Sequence, residues 1–301
     1  MFLLNKVFCY NFISKFFKKA IFKMNRILST SLSIASIITF GTGCLSSDSE
    51  SSESVETQHE IIKENTEHHK TGSAKETNSH WGYTDEVAPK YWSGLNSDYA
   101  KCSNGKMQTP INIIATKDIN LTPLDFNYST NSSDVINNGH TVQVNINSGS
   151  SVKIDGLDFK LKQFHFHTPS ENNINGTEYA LEAHFVHATD DGQLAVVAVM
   201  FKKGDENPII SKIWNKFPLE ENKKVAFSLS SDDIKSIMPP DKNYYKFLGS
   251  LTTPPCSENV KWNVFKTPVT ISSEQVETFF KIFGHTNNRP IQETNDRLIQ
   301  E

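Results

Sequence analysis

Gln163-Phe164-His165-Phe166-His167 and Leu181-Glu182-Ala183-His184-Phe185-Val186 are the stretches from which the rest of the chain is read. Polar and apolar residues alternate in both, and a period of two sends successive side chains to opposite faces of a β-strand. On the first strand Gln163, His165 and His167 share one face, while Phe164 and Phe166 turn the other way into apolar core. On the second, Glu182 and His184 share a face. If the strands are neighbours, three imidazoles converge, with Gln163 and Glu182 beside them to engage the second ring nitrogens and aim the rings. One buried histidine alone reads as a hydrogen-bonded core residue, whereas three on matched faces read as ligands of one ion. Three neutral nitrogens and no thiolate describe a catalytic zinc site with one coordination corner left open.

The same alternation recurs in Thr141–Ile146, Ser151–Ile154 and Leu194–Phe201. Asn138-Gly139, Asp155-Gly156, Asn175-Gly176 and Asp191-Gly192 punctuate the runs where tight turns would join antiparallel neighbours. Helical patterns are few: Ile209–Asn215, Ser231–Ile237, and Ser272–Phe283, which opens with a capping signature. The expected fold is mostly β, with peripheral helices. Length agrees, since residues 80–301 make 222 of the 301 and suit a single domain. With 30 Lys+Arg against 34 Asp+Glu the net charge is −4, which argues against a nucleic-acid-binding scaffold. Four cysteines are too few for a disulfide-built fold but suffice for one bridge. His187 lies three residues beyond His184, hence on the opposite strand face, and is expected to make a structural hydrogen bond.

Residues 1–79 read differently. Lys6, Lys15, Lys18, Lys19, Lys23 and Arg26 precede an uncharged apolar run, Ile27–Phe40, an order typical of an export signal. The run is short of the ~20 apolar residues that span a membrane. Gly41-Thr42-Gly43-Cys44 follows and resembles a bacterial lipoprotein box in which Cys44 is lipidated, although Gly41 stands where such boxes carry an aliphatic residue. Residues 1–44 are therefore assigned as a signal region, with Met24 as an alternative start. Residues 45–79, rich in Ser and Glu, form an expected disordered tether. His59, His68 and His69 within it are read as scattered surface residues.

From His80 onward an ordered set of motifs resembles the α-class carbonic anhydrases. The set is His80-Trp81-Gly82-Tyr83, Gln108-Thr109-Pro110-Ile111-Asn112, Asn137-Asn138-Gly139-His140, Gln163 to His167, Ser170-Glu171, Glu182 to His187, Gly249 to Cys256, and Asn288-Arg289-Pro290. The resemblance implies that family's fold, a large twisted and mainly antiparallel sheet with short peripheral helices. It implies reversible hydration of carbon dioxide to bicarbonate and a proton by hydroxide activated at Zn2+, the zinc being held by His165, His167 and His184. Thr252 matches the residue that orients the hydroxide, Glu171 the carboxylate that accepts from Thr252, and His140 the proton shuttle. Val186, Val196, Leu251, Val260 and Trp262 match the apolar substrate wall, each of which reads equally as ordinary core when taken alone. The Thr252 backbone amide and the Thr253 side chain match the bicarbonate-holding groups. Cys102 and Cys256 match a pair bridged in exported members, and an oxidising compartment permits the bond. The pattern departs at Asn172, where many relatives carry histidine.

Two rivals follow from the same residues. His165-x-His167 with Glu171 also fits the first metal motif of cupin oxygenases, but Leu181–Val186 lacks the Pro-x-Gly of their second motif. A catalytically silent binding module on the same scaffold is the other. The implied partners are carbon dioxide and bicarbonate, with no nucleic acid, and with membrane contact only through the signal or a lipid anchor. The implied location is exported, periplasmic or at the cell surface, as a monomer or homodimer.

Overall fold

The structure, a computed structural model, describes residues 80–301. The signal region, the tether and Cys44 lie outside the described residues. Thirteen strands lie among the described residues: β1 (Asn112–Ile113), β2 (Asp125–Asn127), β3 (Ser132–Asn137), β4 (Val142–Ile146), β5 (Ser151–Ile154), β6 (Leu157–His167), β7 (Asn173–Ile174), β8 (Leu181–Ala188), β9 (Leu194–Lys203), β10 (Lys224–Ala226), β11 (Tyr244–Ser250), β12 (Glu258–Phe265) and β13 (Val269–Ile271). Eleven form one sheet with the path β10-β3-β4-β6-β8-β9-β12-β11, to which β13 adds through β9, and β2 and β5 through β6. Pairing in this sheet is antiparallel except that β12 and β13 run parallel to β9. It is a mixed sheet, and its mainly antiparallel character is the one expected.

The four Asn-Gly and Asp-Gly pairs that punctuate the strand runs, from Asn138-Gly139 to Asp191-Gly192, all sit between strands. Asp155 and Gly156 have φ of 53° and 81°, the left-handed pair a two-residue hairpin requires, and Ile154 faces Leu157 across it. The three anticipated helices occur as Pro208–Trp214, Ser231–Ser236 and Ser273–Phe283. In the last, Ser272 and Gln275 form a reciprocal capping box, and Gly284 ends the helix at φ 71°, where its N–H reaches the Phe280 carbonyl. The short helical turns between Asp85 and Asn104 carry no periodicity and were not anticipated.

The sheet separates two apolar clusters. Phe164, Phe166 and Phe185, all fully buried, belong to the larger, which the three long helices cover. Phe164 stacks on Phe185 at 4.9 Å and meets Phe166 edge-on. Val196, Val260 and Trp262 belong to the smaller cluster on the other face, with Val186 and Leu251 packed against it. The histidines lie on this second side.

Candidate metal centre

β6 and β8 are neighbours, and their register places His165 opposite His184 and His167 opposite Glu182. The alternation that buries Phe164 and Phe166 therefore delivers three imidazoles to one place. Their ligating nitrogens all lie within 4.8 Å of one another. No other group of three or more His, Cys, Asp or Glu residues among the described residues could hold a metal ion.

Each ring is oriented by a partner. His165 Nδ1 donates to Gln163 Oε1 at 2.8 Å, and His167 Nδ1 donates to the Asn287 carbonyl at 2.7 Å. With the proton on Nδ1, each Nε2 presents a lone pair to the centre. His184 is turned the other way: its Nε2 is 2.9 Å from Glu182 Oε1, close but poorly aligned for a hydrogen bond, which leaves Nδ1 for the centre. Glu182 is itself held by the Asn172 and Glu171 N–H groups and by Asn172 Nδ2, each at 2.8 Å. The departure at Asn172 thus leaves the network intact, because the amide serves both Glu182 and the Ile111 N–H.

Burial keeps all three rings neutral, with His165 and His184 pushed well below the usual histidine range and His167 lowered to about 4. His167 Nε2 is buried and has no hydrogen-bond partner. A nitrogen desolvated without a partner is costly unless something accepts its lone pair. Neutral imidazoles, a buried orphan nitrogen and outer partners on every ring fit a divalent cation of zinc type.

Glu171 is 1% exposed, which excludes a solvent-facing loop charge. Its Oε1 accepts the Arg289 N–H at 2.8 Å, and its Oε2 lies 3.4 Å from His167 Nε2. Burial pushes its carboxyl well up, while hydrogen bonding from the Thr252 side chain and from Arg289 pulls the other way. Thr252 is buried on the loop after β11. Leu251 N–H bonds to Ser257, Cys256 N–H bonds to Thr253, and Cys256 is bridged to Cys102, all of which pin that loop. At Gly249 a Cβ would stand 2.1 Å from Thr109 Oγ1 and 2.8 Å from Trp262 Cδ1, so only glycine lets β11 approach this closely.

The five wall residues come together beside the trio. β8–β9 register sets Val186 against Val196, β9–β12 register sets Val196 against Trp262, and the Trp262 ring meets His184 edge-on at 4.9 Å. Thr253 follows Thr252 on the same loop and is half-buried. His140 sits at the β3–β4 turn, half-buried and stacked flat on Trp81 at 3.7 Å. Burial first and the neighbouring His80 second lower its pKa to about 4, with Glu221 opposing. His187 behaves as a structural residue: it is fully buried and its Nε2 is 2.6 Å from the Tyr128 hydroxyl.

Asn287 and Arg289 escaped the sequence reading as site residues. Asn287 acts on His167 through a carbonyl, which any residue type possesses, so only its own side-chain bonds distinguish it. Arg289 is buried and donates to Gln108, Thr109 and Cys102.

A three-imidazole centre built from neighbouring strands beside an apolar wall can hold a divalent cation next to a small apolar molecule. Residues 87–301 match the family described as eukaryotic-type carbonic anhydrase. A carbonic anhydrase from Klebsiella pneumoniae is 46% identical over 225 residues, covering 74% of this chain and 91% of that protein. Among solved structures, the α-carbonic anhydrase from Thermovibrio ammonificans in complex with sulfanilamide aligns with a TM-score of 0.71 at 43% identity, covering 74% of this chain and 99% of that one. The Photobacterium profundum α-carbonic anhydrase aligns with a TM-score of 0.69 at 44% identity, covering 74% and 100%. The chain belongs to the α-class carbonic anhydrase family and is a carbonic anhydrase. Membership sets the cupin alternative aside.

Proposed function

We propose that residues 80–301 hydrate carbon dioxide reversibly at a zinc ion held by His165 Nε2, His167 Nε2 and His184 Nδ1. The observation that carries the reading is the convergence of three neutral, individually oriented imidazoles with a buried unpartnered nitrogen among them. A divalent cation there makes a hydroxide-like nucleophile available near neutral pH, an effect whose standing example is this enzyme family.

The chain's own residues do the rest. Thr252 donates its hydroxyl hydrogen to Glu171 and so offers its oxygen only as an acceptor, fixing the orientation of the attacking oxygen. Positive charge at the trio favours the carboxylate form of Glu171 that this bond requires. The wall of Val186, Val196, Leu251, Val260 and Trp262 admits a small apolar substrate and offers it no competing hydrogen bond beyond the loop. The Thr252 N–H and Thr253 side chain hold the product oxygens. Gln163, Glu182 and Asn287 keep the rings aimed. His140 carries the released proton towards buffer.

The remaining chain is assigned as an export signal over residues 1–44, with lipidation at Cys44, and a tether over residues 45–79. Export to the periplasm or cell surface is supported by the Cys102–Cys256 bridge, which an oxidising compartment preserves. The test is stopped-flow carbon dioxide hydration by the purified protein with and without a zinc chelator, alongside metal analysis. Chelator-sensitive hydration with stoichiometric zinc is expected, and a silent module would give no acceleration when zinc-loaded.

A further inference from the structure

His285 lies outside every motif that pointed to the site. It follows Gly284, the residue that stops the helix Ser273–Phe283, and opens the segment that supplies the Asn287 carbonyl to His167 and the Arg289 N–H to Glu171. Those bonds fix where His285 stands relative to the centre. The Asn287 side chain also donates to the His140 carbonyl at 3.0 Å, tying the His285 segment to the turn that carries His140.

We infer that His285 is a second imidazole port through which the proton released by carbon dioxide hydration leaves for buffer, in parallel with His140. The inference rests on the function proposed above. Three features of the geometry support it. His285 Nδ1 donates to the Thr286 carbonyl at 2.8 Å, so in the neutral ring the lone pair is on Nε2. The ring is half-exposed and lies 6.2 Å from that of Tyr83, a residue that in turn feels the charge of Glu171. His285 and His140 also lie within electrostatic reach of each other, their segments joined by the Asn287 side chain.

His140 alone is poorly placed in this structure for the whole task. Its ring is stacked on Trp81, and burial with His80 and His285 nearby holds its pKa at about 4, Glu221 being the opposing charge. A group that low accepts a proton weakly at neutral pH. The groups facing His285 are Tyr83 and His140.

The step balances simply. Carbon dioxide and water give bicarbonate and one proton; the proton, passed through solvent, adds to His285 Nε2 to form imidazolium, and a buffer base removes it. In the hydration a C–O bond forms and an O–H bond of water breaks; in the relay one N–H bond forms and then breaks, with no change of oxidation state.

The test uses the full-length zinc-loaded protein and its His285→Gln, His140→Ala and doubly substituted variants. In weak buffer, kcat of His285→Gln should fall about threefold to tenfold, less than the roughly 10²–10⁴ a sole acid–base group contributes because His140 remains. kcat/KM should stay at the wild-type value, added imidazole should restore kcat, and the double variant should fall below either single one. Nitrogen NMR of the imidazoles should find His285 as the Nδ1–H tautomer taking up its proton at Nε2. An unchanged kcat, a parallel fall in kcat/KM that marks a structural role through Asn287, or an Nε2–H tautomer would each overturn the inference. A wild-type protein that fails to hydrate carbon dioxide would overturn the function reading itself.

Discussion

Replacing Asn287 with alanine isolates what the remote partner of His167 does. The carbonyl that accepts from His167 Nδ1 belongs to the backbone and survives the substitution, whereas the side chain that positions it does not. That side chain accepts the Thr168 N–H at 2.8 Å and donates to the carbonyls of Phe166 at 2.9 Å and His140 at 3.0 Å. Thr168 is 3% exposed, so its N–H is left without water or partner. Phe166 keeps the Thr141 hydroxyl as a donor, which limits the loss there. One orphaned buried donor costs about 1–3 kcal/mol and each lost bond about 1 kcal/mol, giving a destabilisation of about 3–5 kcal/mol. Freed from its anchor, the carbonyl orients His167 less well, and loss of such an outer partner lowers metal affinity about 10- to 100-fold. Urea unfolding of metal-free protein reads the first quantity, and competition for zinc against a chelator reads the second. Wild-type zinc affinity in Asn287→Ala, with less than about 1 kcal/mol of lost stability, would refute the reasoning.

Other expectations follow from the same contacts. His184→Ala removes one of three ligands and should abolish stoichiometric zinc and hydration together; near-wild-type values of both would remove His184 from the site. Breaking the Cys102–Cys256 bridge with serines opens a closure of 154 residues, which on chain entropy is worth up to about 5 kcal/mol, and urea midpoints with and without reductant should move by the same amount. His187 is held neutral, with burial lowering its pKa from 6.5 to about 3. The unfolded chain therefore takes up the proton first, so its contribution is fully present above about pH 6.5 and is lost as pH falls towards 3. The loss should reach about 3 kcal/mol near pH 4.5 and about 4–5 kcal/mol in full. His187→Gln should flatten that part of the urea-midpoint profile whatever it costs in absolute stability, and an equally steep profile would assign the acid sensitivity elsewhere.

The parts of this fold legible in the sequence are those whose causes are local. β6 and β8 announce themselves because one face is phenylalanine and the other histidine, so a one-residue slip would bury the wrong set. The Asp155-Gly156 hairpin is legible because few residue pairs accept two left-handed φ values, and the Ser272 cap because its hydrogen bonds lie within four residues. Short strands such as β1, β7 and β13 are invisible by the same logic: two or three residues hold no period, and tertiary contacts alone select them. The parallel pairing of β12 with β9 is likewise a long-range result, yet it is what sets Trp262 against Val196 and closes the apolar wall. His140 reads from sequence as an exposed turn residue or a shuttle, and only coordinates reveal that Trp81, 59 positions earlier, covers its ring.

The three convergent imidazoles and their orientation come from different parts of the chain, and this division has a physical consequence. Strand pairing between β6 and β8 brings the three rings together, but it leaves each free to turn about its side-chain bonds. Gln163 and Glu182 restrain two of them from the same strands, whereas His167 depends on a carbonyl 120 residues away. The segment that supplies this carbonyl also supplies the Arg289 N–H to Glu171, and Arg289 in turn reaches Gln108, Thr109 and the Cys102 carbonyl beside the disulfide. Gln108 Nε2 returns to the Cys256 carbonyl, on the loop that bears Thr252. His167, Glu171 and Thr252 are thus indexed to one another through the Asn287–Arg289 backbone and the buried Arg289 guanidinium. Arg289 keeps that role because desolvation lowers its pKa only to about 10, leaving it charged throughout the neutral range. A disturbance anywhere along this chain of bonds should therefore change ring orientation and Thr252 position together, so variants of Gln108 and Asn287 are expected to couple non-additively although no hydrogen bond joins the two residues directly.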